Sequence, residues 1–231
     1  MPLNEEINFR CGHGIPGCRL ICFTGMDSIR ASFIFSRVRA LRNWIWFSRR
    51  DSRTFICLGS TFAKSLPLEI HIDSSANVEI TESIVEDSEL SNIVVDNSID
   101  MTLSYSHVEG GESSGVIVSS GSLNFNMLHV VVEFNDDYGC LIASPNANIA
   151  QSYIKQNGLN GIYISSVHEV DLSENKFEGN GLSELKIIGS TDISIDYNYF
   201  NATELETESG GWGIDISSSS ESEINHNIFV H

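Results

Sequence analysis

The chain has 231 residues, with 31 acidic against 13 basic residues and a formal net charge of −18. That length suits one domain with an extension, and the acidic excess argues against nucleic acid, because phosphate binding needs Lys and Arg. Tight direct binding of a polyuronate is disfavoured for the same reason, unless a divalent cation bridges the two.

The charge is divided unevenly along the chain. All nine Arg lie between Arg10 and Arg53, so residues 1–66 carry +6 and residues 67–231 carry −24. The sequence therefore reads as a basic N-terminal extension or cap followed by an acidic domain. Four of the five Cys fall in the first part (Cys11, Cys18, Cys22 and Cys57), at spacings that match no common zinc pattern. No secretory signal peptide is recognised, since Arg interrupts each apolar stretch, and without a run of about 20 apolar residues no membrane span is expected. From 28 to 50, Ile29, Phe33, Val38, Leu41 and Ile45 have roughly helical spacing with Arg interspersed. This predicts an amphipathic helix that caps the apolar end of a solenoid. The rival reading is a basic helix lying on a membrane surface, with Trp44, Trp46 and Phe47 at the interface.

From Pro67 the sequence repeats. The first apolar residue of each unit is Ile70, Ile93, Val116, Cys140, Ile162, Leu185 and Ile214, at steps of 23, 23, 24, 22, 23 and 29 residues. Each unit holds three short runs of period-2 alternation, too short for helices. Such strands bury a face only when copies stack. Dropping one residue from the first turn of units three and four aligns Leu123–Phe125 and Ala147–Ile149 with the second strand of the other units. Ser83, Ser106, Leu128, Ser152, Asn175, Asn198 and Asn227 then share one turn position and form a polar ladder between coils. The expected fold is all-β: a right-handed parallel β-helix, or solenoid, of about seven coils.

Gly161-Ile162-Tyr163-Ile164 and Asn175-Lys176-Phe177-Glu178-Gly179-Asn180-Gly181 follow a degenerate G-I-x-I and N-x-F-x-x-N-G pattern. With it, residues 67–231 resemble the pectin-lyase-like superfamily of right-handed parallel β-helices. The resemblance implies the fold and a carbohydrate-associated role. That superfamily spans polysaccharide lyases, glycoside hydrolases, epimerases, phage tailspikes and non-catalytic surface proteins. Its lyases build a cleft against the first-strand face with calcium-binding Asp and a catalytic Arg. Here that face reads His71, Val94, Ile117, Leu141, Tyr163, Lys186 and Asp215, and the coils hold no Arg. The pattern departs from a pectate-lyase mechanism.

Stacking allows a column to be read from sequence. Flanking the third strand's apolar residue are His107, His129, Tyr153, Lys176 and Tyr199 on one side, and Glu109, Val131, Lys155, Glu178 and Asn201 on the other. His107, His129, Tyr153, Lys155 and Lys176, with Glu133, Asp136 and Asp137 in the turn leaving the third coil, are the candidate substrate-binding residues. Such residue types bind sugar or act as acid and base, although a solvated polar face has the same composition. The long turn 201–212 brings Glu204, Glu206 and Glu208 near Asp215, a set of oxygen ligands suited to calcium, with Trp212 beside them. Asn201-Ala202-Thr203 is a formal glycosylation sequon.

The last coil has no cap after it, so a partner chain, self-association or further coils are expected to cover its strand edges. The functional expectation is an extracellular or cell-surface protein that binds, and in some readings processes, a polysaccharide along its exposed face. The alternatives are a non-catalytic structural or adhesive solenoid and an active polysaccharide lyase or glycoside hydrolase.

Overall fold

The computed structural model describes residues 70–202 and 211–230, and ahead of them the backbone of the strands Ile45–Ser48, Phe55–Leu58 and Thr61–Phe62. The strands form three parallel sheets of eight strands each, and consecutive strands in the chain belong to successive sheets. The chain thus coils as a parallel β-helix, with seven successive coils between Ile70 and Val230. Parallel pairing extends ahead of Pro67, because Ile45–Ser48 pairs with Ile70–Asp73. The helix expected over 28–50 therefore gives way to a strand at its C-terminal end. Ile45, Trp46 and Phe47 are strand formers beside an open sheet edge, and pairing there outweighs a helical period. The rest of that expected helix lies outside the described residues.

Period-2 alternation sends one side of each strand inward. Ile72, Val95, Val118, Ile142, Ile164 and Ile187 stack along the first sheet, and Val85, Val108, Val132, Ile154, Phe177 and Phe200 along the third. All are 0–1% exposed, and each such side chain stabilises the fold by about 1.5–3 kcal/mol. The rings of Phe177, Phe200 and Phe229 stack at centroid distances of 4.8 and 5.1 Å, matching the spacing between adjacent strands.

All three corners carry side-chain ladders. Between the second and third sheets, Ser152 N–H donates to Asn175 Oδ1 at 3.0 Å, Asn175 N–H to Asn198 Oδ1 at 2.8 Å, and Asn198 N–H to Asn227 Oδ1 at 2.8 Å. Between the first and second, Ser98 Oγ accepts from Ser75 N–H at 3.1 Å and Ser122 Oγ from Ser98 N–H at 3.2 Å. Between the third and first, Asn135 N–H donates to Asn157 Oδ1 at 3.2 Å and Asn157 N–H to Asn180 Oδ1 at 3.1 Å. These bonds satisfy backbone donors that no sheet reaches. Coils also approach very closely in this last turn: a Cβ on Gly181 would lie 2.0 Å from the Gly158 carbonyl oxygen.

The third coil corrects the register read from sequence. Phe125 and Met127, not Leu123 and Phe125, align with Met101 and Leu103. The corner Ser119–Ser122, closed by a Ser122 N–H to Ser119 O bond of 3.0 Å, holds one residue more than the standard corner rather than one fewer. Leu123 consequently faces solvent, and Val130, not Leu128, takes the ladder position.

Candidate functional site

The outer face of the third sheet presents two columns. His107, Val131, Tyr153, Lys176 and Tyr199 pair in one, and Glu86, Glu109, Glu133, Lys155, Glu178 and Asn201 in the other. Parallel register places members of a column about 4.8 Å apart. The third-coil correction moves three residues, and Val131 changes to the column of His107 and Tyr153. Glu133 lies on a strand rather than in the turn. His129 leaves the strip for the corner, where its ring packs against Tyr105 at 4.8 Å between centroids and a 30° tilt.

Glu133 is the hub of the strip. Its side chain is 8% exposed, with Oε1 2.8 Å from His107 Nε2 and Oε2 2.6 Å from Lys155 Nζ. His107 Nε2 also lies 3.5 Å from Glu109 Oε2. One coil further on, Lys176 Nζ stands 2.6 Å from Glu178 Oε2 and donates to Tyr153 Oη at 3.1 Å, while the Tyr153 hydroxyl donates to Glu178. Lys176 Nζ is also 4.4 Å from the centroid of the Tyr153 ring, and Lys155 Nζ lies 5.7 Å from that of the exposed Phe134. Both ammonium groups thus sit between a carboxylate and aromatic rings.

These contacts set the protonation states. The bond to Glu133 holds the Lys155 ammonium above its ordinary value. The bonds to Glu178 and then Tyr153 do the same for Lys176, and Glu178 in turn is held below the usual carboxylate range by Lys176 and Tyr153. Glu86 moves the other way: burial first, then its neighbours Glu109 and Asp87, push its carboxyl up.

Among the sequence-derived candidates, the fold brings His107, Glu133, Tyr153, Lys155 and Lys176 together. Asp136 and Asp137 remain in the turn, where Asp137 Oδ2 accepts from Ser113 Oγ at 3.0 Å and Asp136 is exposed. Asp215 lies on the first sheet, 2.9 Å from Lys186 Nζ. Glu204, Glu206 and Glu208 lie outside the described residues. Sequence reading passed over Glu86 and Phe134, although aligning the ends of the third strands finds both. It also passed over Glu184, which is 1% exposed and closes the Asn135–Asn157–Asn180 ladder by accepting from the Asn180 side chain and, at 3.4 Å, from Asn180 N–H. Burial pushes the Glu184 carboxyl up to about 7, against the pull of those bonds.

Residues 62–231 match the family model for NosD, the periplasmic copper-binding protein, and the chain belongs to that family. No curated protein matches it in sequence. Among solved structures, the periplasmic alginate epimerase AlgG is similar at 15% identity and a TM-score of 0.66, over 77% of this chain and 51% of that one. The A-module of the Azotobacter vinelandii mannuronan C-5 epimerase AlgE4 is similar at 13% and 0.59, over 80% of this chain and 72% of that one. Pectate lyase Pel9A is similar at 10% and 0.56, over 85% of this chain and 69% of that one. The chain spans about half the length of AlgG, and at these identities the likeness shows the fold.

The family description raises copper, so the donors on the strip bear on it. His107, Glu109 and Glu133 offer one imidazole nitrogen and two carboxylate oxygens within 4.8 Å of one another. Copper(I) prefers sulfur ligands, and among the described residues the sulfur-bearing side chains, Cys140, Met101 and Met127, are buried in the core at 0–1% exposure. Burial also pushes the Cys140 thiol up to about 12, far from a thiolate. Glu133 already has its charge met by Lys155. This imidazole and carboxylate set does not fit copper(I).

Proposed function

We propose that this NosD-family chain is an extracytoplasmic polysaccharide-binding solenoid, and that the polymer lies along the third-sheet strip, parallel to the solenoid axis. The observation that carries the reading is the strip itself. His107, Glu133, Lys155, Tyr153, Glu178 and Lys176 form a nearly continuous run of donors, acceptors and an aromatic ring across successive coils. Sugar recognition needs this mixture: rings to pack on C–H faces, and fixed polar groups to meet hydroxyls. The strip side chains already hold one another in place, which lowers the entropy cost of binding. The family's periplasmic description and the alginate epimerase and pectate lyase similarities support an extracytoplasmic, carbohydrate-associated role.

The test is affinity electrophoresis and calorimetry of the full chain against a panel of neutral, acidic and amino-sugar polysaccharides. Reducing ends and unsaturated products are followed in parallel, with and without calcium. Binding to at least one polymer is expected, weakened about 3- to 10-fold by Tyr153→Ala through the lost stacking surface. Retention of full affinity in both Tyr153→Ala and Lys176→Ala, in folded protein, would remove the strip from the reading. Failure of every polymer to bind would favour a purely structural solenoid.

A further inference from the structure

The corner between the second and third sheets carries an outward column at left-handed backbone positions. Tyr105, His129, Gln151, Glu174, Tyr197 and His226 occupy it in successive coils, with φ between 47° and 55°. The N–H of each, up to Tyr197, donates to the carbonyl just before its neighbour in the next coil, so the column is in strict register. All six side chains are exposed, Tyr105 and Tyr197 at 59%. Such positions suit Gly or Asn, and a bulky ring there is an outlier. At that exposure the two tyrosine rings add little to the core.

The rings form two pairs with a polar gap between them. Toward the N-terminal coils, Tyr105 packs against His129 at 4.8 Å between centroids and a 30° tilt. Toward the C-terminal coils, Tyr197 stacks on His226 at 4.6 Å and 5°, and His226 Nδ1 lies 2.9 Å from Asp196 Oδ1, which holds the imidazole in place. Each pair uses the facing sides of its rings. The free side of His129 therefore turns toward the coil of Gln151, and the free side of Tyr197 toward the coil of Glu174. These two ring walls stand three coil steps apart, about 14 Å at the spacing of parallel strands. Across the floor, Gln151 Nε2 donates to Glu174 Oε2 at 2.8 Å. Gln151 Oε1 and Glu174 Oε1 make no bond among the described residues.

This notch opens sideways onto the strip. Tyr153 and Lys176, joined by a bond of 3.1 Å, follow Gln151 and Glu174 by two residues in the same two coils. A polymer running along the strip passes beside the notch, because the ring pairs flank it in the direction of the solenoid axis. Whatever fills it must leave the main chain sideways. Aromatic walls and a floor of free acceptor oxygens suit a pyranose ring, which has C–H faces to lie on an aromatic side and hydroxyls to donate. Walls and floor are already held by their own contacts, which lowers the entropy cost of binding.

We propose that the notch takes a branch sugar of the polysaccharide held on the strip, the branch lying against Tyr197 or His129 with its hydroxyls on Gln151 and Glu174. This rests on the strip being the polysaccharide site and narrows its ligand to a branched polymer.

The test uses the full chain and calorimetry with two matched pairs of probes: a cello-oligosaccharide and its xylosyl-branched form, and a manno-oligosaccharide and its galactosyl-branched form. In at least one pair the branched form is expected to bind about 3- to 10-fold more tightly, the worth of one ring contact. Asn accepts left-handed backbone, so Tyr197→Asn and His129→Asn are expected to fold, as circular dichroism would verify. Together they should erase most of the preference and leave the linear form's affinity unchanged. Tyr153→Ala should weaken both forms alike. Tyr163→Ala removes a tyrosine from the outer face of the first sheet and should alter neither. Equal binding of linear and branched forms, or a preference that survives both Asn substitutions, would overturn the proposal. The strip would stand in that case if Tyr153→Ala still weakened binding. A preference lost in Tyr163→Ala would place the ligand on the first sheet and overturn both readings. If neither pair bound, the proposal would fall, and the strip would be judged by the polymer panel alone.

Discussion

The outer faces of the first and third sheets rest on the same interior and carry different chemistry. In its middle coils the first sheet's face is Val94, Ile117, Leu141 and Tyr163, with the ion pairs His71–Asp96 at 3.0 Å and Lys186–Asp215 at 2.9 Å toward its two ends. The third sheet's face is a chain of ion pairs around Glu133, whose side chain is 8% exposed. Since the interiors match, the difference lies in outward residues alone. A stacked coil leaves those free to specialise, because inward residues hold the fold and corner ladders satisfy the turns.

That separation breaks first if the interiors are not equivalent. Phe177→Ala, behind the third sheet, should cost about 3–5 kcal/mol, and Ile164→Ala, behind the first, about 2–5 kcal/mol in urea unfolding. A loss well under 1 kcal/mol at either site would show that its coil contributes little to the folded unit.

Glu184 tests the corner between the two faces. Its folded carboxyl holds a proton up to about pH 7, whereas the ordinary glutamate value is 4.5. Between those values the folded state binds more protons than the unfolded one. Stability is therefore highest below 4.5, falls as pH rises to about 7, and levels off above, by on the order of 2–3 kcal/mol. Glu184→Gln should remove that slope from unfolding curves collected across the window. An unchanged slope would assign it to another group.

The smallest effect compares like with like. Lys155 and Lys186 each pair with one carboxylate, but Glu133 is 8% exposed and Asp215 is 36% exposed. Lys155→Ala leaves a nearly buried carboxylate without its cation and should cost about 1–2 kcal/mol, whereas Lys186→Ala should cost under about 1 kcal/mol. Equal costs by thermal unfolding would mean that the two faces do not differ in how far their charges are desolvated.

The repeat made the coil legible: Ile162, Ile164, Val170, Leu172 and Phe177 recur at offsets that only stacked short strands can use, and all are buried. Much of the strip was legible with it, since His107, Glu109, Tyr153, Lys155, Lys176 and Glu178 sit beside apolar anchors of fixed register. The third coil was not. A β-strand has period 2, so a shift of two residues preserves the inward–outward alternation and leaves no trace in hydropathy. Leu123–Phe125 and Phe125–Met127 satisfy the pattern equally well, and closure of the Ser119–Ser122 corner decides between them.

Alternating hydropathy at a repeat of about 23 residues was thus enough to specify a parallel solenoid and which side of each strand turns inward, because burial responds to period. The tertiary structure alone decided that Glu133 lies between His107 and Lys155, that His129 packs against Tyr105, and that Glu184 ends an asparagine ladder. The contacts of Glu133 and His129 join residues of different coils more than 20 positions apart, and the length of each intervening turn selects the pairs that meet, whereas Glu184 reaches Asn180 within one corner.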